Sequence, residues 1–486
     1  MGAALAALAN LGWISWRVAH GAYFVTDDDP YRLYHGHLAA SGSPTIFSPL
    51  WPPGHALAIA LLERLGVPLA YAGFVLGALC TIAMTVALAS ITRSLAAGAD
   101  SRTSGATAAL IALATPWLLH VAYGGLAEPL ALALAAVAGA LALQRIDGAS
   151  RGALAGASIA LLAATWVRYE TWWFVPFLAI GVPLGRRAAC DSKRSLAIDA
   201  SIAAIPCLGP AAWLIGEQSA FGDAFVFLRI NHEISSQVLG HTDRLAIALR
   251  RFHDLAIEAP APLVLGALVL VKTKSHRARV WVIAGLVPLV AQVIDGHEQT
   301  VYPARLVGPL VIALVPLAAL GLARARTSTA LLATLVPLAI VPFAQPSLVD
   351  ESSVAFGRAL RGHRFDDALA GGALLVEREA RRPPFGWASV AVLWAEWPRL
   401  VFGTHRGTQW EMTDASNVRA GRVLVDDDAL SSWLSRRGVR GAWTLSPGAR
   451  ASVGHAWGTV RGVSVGEGTF VTTSSRPEPS ALENVR

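Results

Sequence analysis

The chain is dominated by a succession of long apolar runs, and that feature limits its fold before any motif is read. A helix needs ~20 mostly apolar residues to cross the hydrocarbon core of a bilayer. Runs near that length occupy residues 3–24, 68–91, 105–122, 127–144, 152–167, 171–185, 197–215, 259–271, 280–294, 303–322 and 328–343. They predict a polytopic α-helical membrane protein with about 11 transmembrane helices. Composition agrees: 54% of residues are hydrophobic and 15% charged, against roughly 25% charged in soluble proteins. The run over 3–24 reads as an uncleaved first span, because no basic segment or small-residue cleavage site precedes the acidic stretch after it.

The net charge of +7 does not indicate nucleic acid, because the cations sit in short loops between the runs. One set of alternate loops carries Arg93 and Arg102, Arg145 and Arg151, Arg186, Arg187, Lys193 and Arg194, then Lys272, Lys274, Arg277 and Arg279, then Arg324 and Arg326. The other set holds the acids Asp27, Asp28, Asp29, Glu128, Glu170, Asp223, Glu233, Asp295 and Glu298. Basic loops stay inside. The N-terminus is therefore expected in the cytoplasm, and the acids and the C-terminal segment outside. Cys80, Cys190 and Cys207 are too few and too scattered for a disulfide or zinc framework.

Two outer loops are long, 25–67 and 216–258. The first contains Trp51-Pro52-Pro53, an interfacial bend, and then an amphipathic helix. The second has helical apolar spacing but too much charge to span. Two domains follow from the pattern: a transmembrane body over 1–344 and a soluble α/β domain over 345–486. In the latter, residues 421–446 read as strand, helix, strand, a βαβ unit, with Asp426–Asp427–Asp428 as the helix N-cap. Residues 373–378 add a strand and 457–474 a hairpin. No glycine-rich phosphate loop is present.

The outer ends of the runs carry the residues suited to chemistry. The triplet Asp27, Asp28 and Asp29 places three carboxylates side by side, which repel one another unless they have a partner or a task; the plainer reading is a solvated loop or helix cap. Glu128, Arg168, Glu170, His297, Glu298 and Arg305 lie at the same expected depth, where ionisable residues are costly. Arg168 and Glu170 are equally explained as a local ion pair, and Trp172 and Trp173 as interfacial anchors. His35 and His37, lacking metal-ligand spacing, are expected at the solvent or the interface.

In order, the chain shows an acidic pair after the first span, "PYRLYHGHLAASG", "SPLWPPGHALAIALL", "EPLALALA", an Arg-x-Glu between two runs and Arg305-x-x-x-Pro309 entering a late one. With a soluble C-terminal domain, this pattern resembles the GT-C superfamily of integral-membrane glycosyltransferases. The resemblance implies a polyprenyl-phosphate-linked sugar donor, an acceptor outside the cytoplasm (a lipid, a cell-surface glycan or a protein) and an inverting transfer. It implies an outer-loop aspartate as general base: Asp28, with Asp29 as helper. The donor phosphate would fall to Arg305 first, Arg168 second, then His297 and Arg229. Glu128, Glu170 and Glu298 would bind sugar hydroxyls or orient those cations. Some members of the superfamily use a divalent metal; Mg or Mn would suit Asp27 and Asp29 as hard oxygen ligands. The implied location is the bacterial inner membrane, in contact with its lipids. A transporter or lipid flippase is the rival; it predicts ionisable residues at mid-membrane and broken helices. A catalytically inert envelope scaffold is a third reading.

Overall fold

A computed structural model of the protein describes residues 12, 15, 28–40, 51–96, 105, 107–109, 111–112, 115–121, 125–187, 193–238, 243–273, 275–296, 303–323, 372–377, 400–414, 422–458, 460–465 and 468–473. These residues fall into two compact units. One draws on 1–16, 47–59 and 73–346, the other on 17–46, 60–72 and 347–486.

The helices, in chain order, are α1 (Asp28–Ala40), α2 (Gly54–Arg64), α3 (Leu69–Leu95), α4 (Pro116–Val121), α5 (Glu128–Ile146), α6 (Arg151–Thr165), α7 (Val175–Arg186), α8 (Lys193–Ala203), α9 (Leu208–Phe221), α10 (Val226–Val238), α11 (Arg244–Glu258), α12 (Pro260–Lys272), α13 (His276–Asp295) and α14 (Gly308–Leu322). Among the described residues, five segments are long and apolar enough to cross a membrane: Tyr71–Leu95, Glu128–Ile146, Lys193–Phe221, His276–Asp295 and Ala304–Leu322. The pair α11 and α12, bent by 106°, makes a sixth if it is one span. The chain is thus a multi-pass helical membrane protein, but the expected count of eleven is not reached among these residues. The runs at 3–24 and 328–343 lie outside the described residues, save 12 and 15. Those at 152–167 and 171–185 form helices of 15 and 12 residues. At 1.5 Å per residue these are about 22 and 18 Å long, short of a ~30 Å hydrocarbon core.

In the first unit α5 packs along α6, while α12 and α13 pack on α14. α14 is buried all round, with every residue but Gly321 inside, so its uniform apolarity reflects a protein core, not a lipid-facing stripe. A second core joins α5, α6 and α7 through Leu154, Leu161, Phe174, Leu178 and Val182.

The second unit holds a seven-stranded mixed sheet of order β4-β3-β2-β1-β5-β7-β6. Its strands are β1 (Ala373–Glu377), β2 (Leu400–Arg406), β3 (Gln409–Asp414), β4 (Arg422–Asp426), β5 (Val439–Thr444), β6 (Val460–Val465) and β7 (Gly468–Thr473), with helices α15 (Asp427–Arg436) and α16 (Pro447–Trp457). The expected strand at 373–378 and the hairpin at 457–474 are present. β1 runs parallel to β2 and β5, and its last residue, the buried Glu377, accepts from Ser446 N at 2.8 Å and Ser446 Oγ at 2.6 Å. Trp410, Leu430, Leu434 and Val453 fill the core.

The structure departs from the sequence expectation at three places. The segment 421–446 is strand, helix, strand, but β4 and β5 are not neighbours: β3, β2 and β1 lie between them. The β2–β3 hairpin, together with β1, occupies that gap. Asp426 does stand at the N-cap of α15, with Asp427 and Asp428 in its first turn, but its side chain makes no capping bond; its carboxylate accepts from Gln409 Nε2 at 2.7 Å, while Asp427 receives the Ser452 hydroxyl. Finally, His35 is buried and the His37 ring lies 2.7 Å from the Glu63 carboxylate. Neither histidine is simply solvent-facing, because α1 forms part of a compact unit.

Candidate active site

The site builds from three helix ends. Glu128 is the first residue of α5, with Pro129 behind it; a carboxylate at a helix start is favoured by the exposed N–H groups there. Arg168 follows α6 in extended conformation, φ −151° and ψ 138°. Its N–H donates to Ala164 O at 3.1 Å, and its carbonyl accepts the Thr171 hydroxyl at 2.6 Å. The Tyr169–Phe174 3-10 helix turns the chain into α7. Arg305 sits in the Pro303–Val307 3-10 turn that leads into α14.

These ends converge. Arg168 Nη1 donates to Glu128 Oε1 at 2.6 Å and Nε to Glu170 Oε2 at 2.8 Å. Nη2 donates to the other Glu170 oxygen, completing a two-pronged fork. Arg305 Nε lies 3.3 Å from the same Glu128 oxygen. Glu128, Arg168 and Arg305 are 4%, 8% and 5% exposed, so all of these charges lie out of water. Burial works to lower the Arg168 pKa, but the Glu128 and Glu170 charges outweigh it and hold the guanidinium well above its usual range. The result is a charge-balanced network of two carboxylates and two guanidiniums.

The surroundings fix it in place. Gly54 N donates to Trp166 O at 2.7 Å, and a Cβ on Gly54 would stand 2.6 Å from that oxygen. The backbone of the Pro-Pro-Gly bend therefore lies directly on the segment that carries Arg168. Trp117 Nε1 donates to Ala304 O at 3.1 Å, and Gly308 abuts the Trp117 ring, which seats the Arg305 turn. From the second long loop, Asn231 Nδ2 donates to the Tyr169 hydroxyl at 2.9 Å. Phe227 packs tilted against Tyr169 and edge-on to Trp172, centroids 5.4 and 5.9 Å away. α11 packs on the Pro303–Val307 turn and carries the buried Arg251, whose Nε donates to Gln292 at 3.0 Å.

Of the residues singled out from sequence, Glu128, Arg168, Glu170 and Arg305 come together. Arg229 does not join them; it is exposed and lies 3.3 Å from Asp223. Asp28 and Asp29 are the first two residues of α1, a start that itself favours acidic residues; they belong to the other unit. Asp27, His297 and Glu298 lie outside the described residues. Among the described residues no group of three or more His, Cys, Asp or Glu is arranged to hold a metal ion; Glu128 and Glu170 are engaged by guanidinium. Gly54, Trp117, Asn231 and Arg251 were not foreseen. Only Gly54 left a signal, as the residue closing a Pro-Pro-Gly bend.

No protein-family model and no curated protein matches the chain in sequence. Its fold, a helical membrane body followed by a small sheet region, nevertheless matches that of solved structures over nearly the whole chain. Among the solved structures it resembles are two of ArnT from Cupriavidus metallidurans. The apo form matches with TM-score 0.58 at 14% identity over 95% of this chain and 98% of that one. The form bound to undecaprenyl phosphate matches with TM-score 0.59 at 14% identity over 96% and 99%.

Proposed function

We propose that the protein is an inverting glycosyltransferase that moves a sugar from a polyprenyl-phosphate-linked donor to an acceptor outside the cytoplasm. One observation carries the reading: the end-to-end likeness to ArnT, one structure of which holds undecaprenyl phosphate. The acceptor is a lipid, a cell-surface glycan or a protein, and the transmembrane body over 1–344 and the soluble domain over 345–486 lie in and outside the bacterial inner membrane, respectively.

In this reading a carboxylate of the first outer loop, Asp28 with Asp29 beside it, takes the proton of the acceptor hydroxyl as that oxygen attacks the anomeric carbon. The bond to the phosphate oxygen breaks on the opposite side, and inversion follows. A polyprenyl phosphate leaves as a stable anion, so no general acid is required. Arg305 is the phosphate ligand, since guanidinium grips phosphate bidentately. Arg168, whose fork is already filled by Glu128 and Glu170, is a positioning residue that keeps the Glu128 carboxylate beside Arg305. His297 and Glu298, close to Arg305 in sequence, stand as further donor contacts.

The test is turnover of a polyprenyl-phosphate-linked sugar in membranes at matched expression. Asp28→Asn is expected to lose ~10²–10⁴-fold in transfer while donor binding persists; loss in Asp29→Asn alone would move the base by one residue. Arg305→Gln should weaken donor binding. If both asparagine variants turn over donor like the native chain, the aspartate mechanism is wrong. A native chain that moves lipid or solute without transferring sugar would instead support the transporter reading.

A further inference from the structure

A groove in the membrane unit lies away from the Glu128–Arg168–Arg305 network. Faces of α5, α7 and α13 line its volume of about 390 Å³, with Ala138, Ala142, Gly181, Gly185, Val280 and Trp281 prominent. On α5 the lining begins at Ala135 and ends at Ile146. At 1.5 Å per residue it starts about 10 Å below Glu128 and runs about 16 Å further. Leu184 and Val280, both lining it, are 61% and 45% exposed, so the groove opens sideways. Nothing stands within 4 Å of a Cβ built on Gly181.

The far end of this groove is basic. Arg186 and Arg187 follow the lining residues Leu184 and Gly185, and His276 and Arg277 line it where α13 begins, with Arg279 just beyond. Among the described residues, two acids lie near that end. Asp147 pairs with Arg277, and Asp199 is fully buried between Arg145 and Arg151. Arg186 Nε is buried with no hydrogen-bond partner among the described residues. Among the described residues, cationic charge is therefore in excess where the apolar groove ends.

We propose that this groove holds one acyl chain of an anionic phospholipid, with the headgroup phosphate at the Arg186–Arg187–Arg277 end. A length of about 16 Å is half of a ~30 Å hydrocarbon core, the depth of one leaflet. Basic pockets between membrane helices hold anionic headgroups in this way. The occupant is a lipid of the leaflet opposite the Glu128 network, distinct from a donor whose phosphate sits at Arg305. The inference needs only the bilayer, and stands or falls separately from sugar transfer.

Native mass spectrometry of the detergent-purified full chain tests it, with palmitoyl-oleoyl phosphatidylglycerol and the phosphatidylcholine of the same chains as probes. The native chain should retain phosphatidylglycerol in preference. Gly181→Phe, which fills the groove, should abolish retention, while Gly181→Ala should keep it. Arg186→Gln with Arg187→Gln should lower the preference by about fivefold per arginine. If Gly181→Phe fails to fold, Gly181→Leu and the double glutamine variant test the two ends independently. Equal retention of both lipids, or retention unchanged in a folded groove-filled variant, overturns the proposal. So does displacement of phosphatidylglycerol by undecaprenyl phosphate, which would give the groove to the donor tail.

Discussion

Arg168 commits its Nε and both terminal nitrogens to Glu128 and Glu170, which makes it the residue whose loss is felt most locally. Arg168→Met would strip the guanidinium from the buried Glu128 carboxylate and the partly buried Glu170 carboxylate. Removing one partner of such a pair costs about 3–5 kcal/mol, read as a lowered melting temperature in detergent. Arg168→Lys should recover little, since an ammonium cannot reproduce the fork. A melting temperature equal to the native one in Arg168→Met would show that the network is not a structural link. Because the folded pKa of Arg168 is raised by the Glu128 and Glu170 charges, its stabilisation is fully present near neutrality. On the alkaline side it is lost only above the ordinary guanidinium range, so this residue adds no pH dependence near neutrality. Gly54 is the second sensitive position: Gly54→Ala would push a methyl against Trp166 O, an overpacking cost of typically 1–3 kcal/mol, visible as faster proteolysis near residue 54. The charged residues were legible in sequence because they stand at the ends of apolar runs. The local Arg168–Glu170 pair was legible too, but the joining of Glu128 and Arg305 to it was not, since Glu128, Arg168 and Arg305 share no sequence spacing that joins them.

At the scale of elements, the two long loops are mostly helices. α11 shows how periodicity serves a chain next to a bilayer. Ile247, Arg251, Leu255 and Glu258 are buried on one face, while Leu245, Leu249 and Phe252 are 64%, 62% and 63% exposed on another. An exposed apolar stripe on a charged helix is the mark of a segment lying in the membrane interface, ~5–10 Å deep. Phe252→Trp is therefore expected to emit at blue-shifted wavelength and to be quenched by lipids labelled near the headgroup more than by those labelled near the chain end. Emission typical of water would place the helix away from the bilayer. The helical character of this segment was legible from apolar spacing. The 106° bend into α12 was not, although Pro260 at the start of α12 supplies its local cause. In the sheet, the strands β1 and β4 to β7 were readable from their own residues, whereas strand order depends on pairings made across the whole domain.

For the whole molecule, alternate loops rich in arginine predict the direction in which the chain is threaded. A fluorescent-protein fusion ending after Gly148 should fold in the cytoplasm and glow, and an alkaline-phosphatase fusion in the β6–β7 region should be active outside it. The reverse pattern would invert the membrane orientation, and with it the placing of the aspartates. Hydropathy and charge, which are sums over many residues, are robust to detail. They determined that the chain is a multi-pass membrane protein with a separate sheet-bearing region, and they marked the helix ends where ionisable residues gather. The tertiary structure alone decided that α14 is buried on every side, that α6 and α7 stop short of a full span, and that Glu128, Arg168, Glu170 and Arg305 form one buried network. The reason is physical: a lone helix records in its sequence how apolar it is. Whether its neighbours are lipid, protein or a guanidinium depends on contacts between residues far apart in the chain.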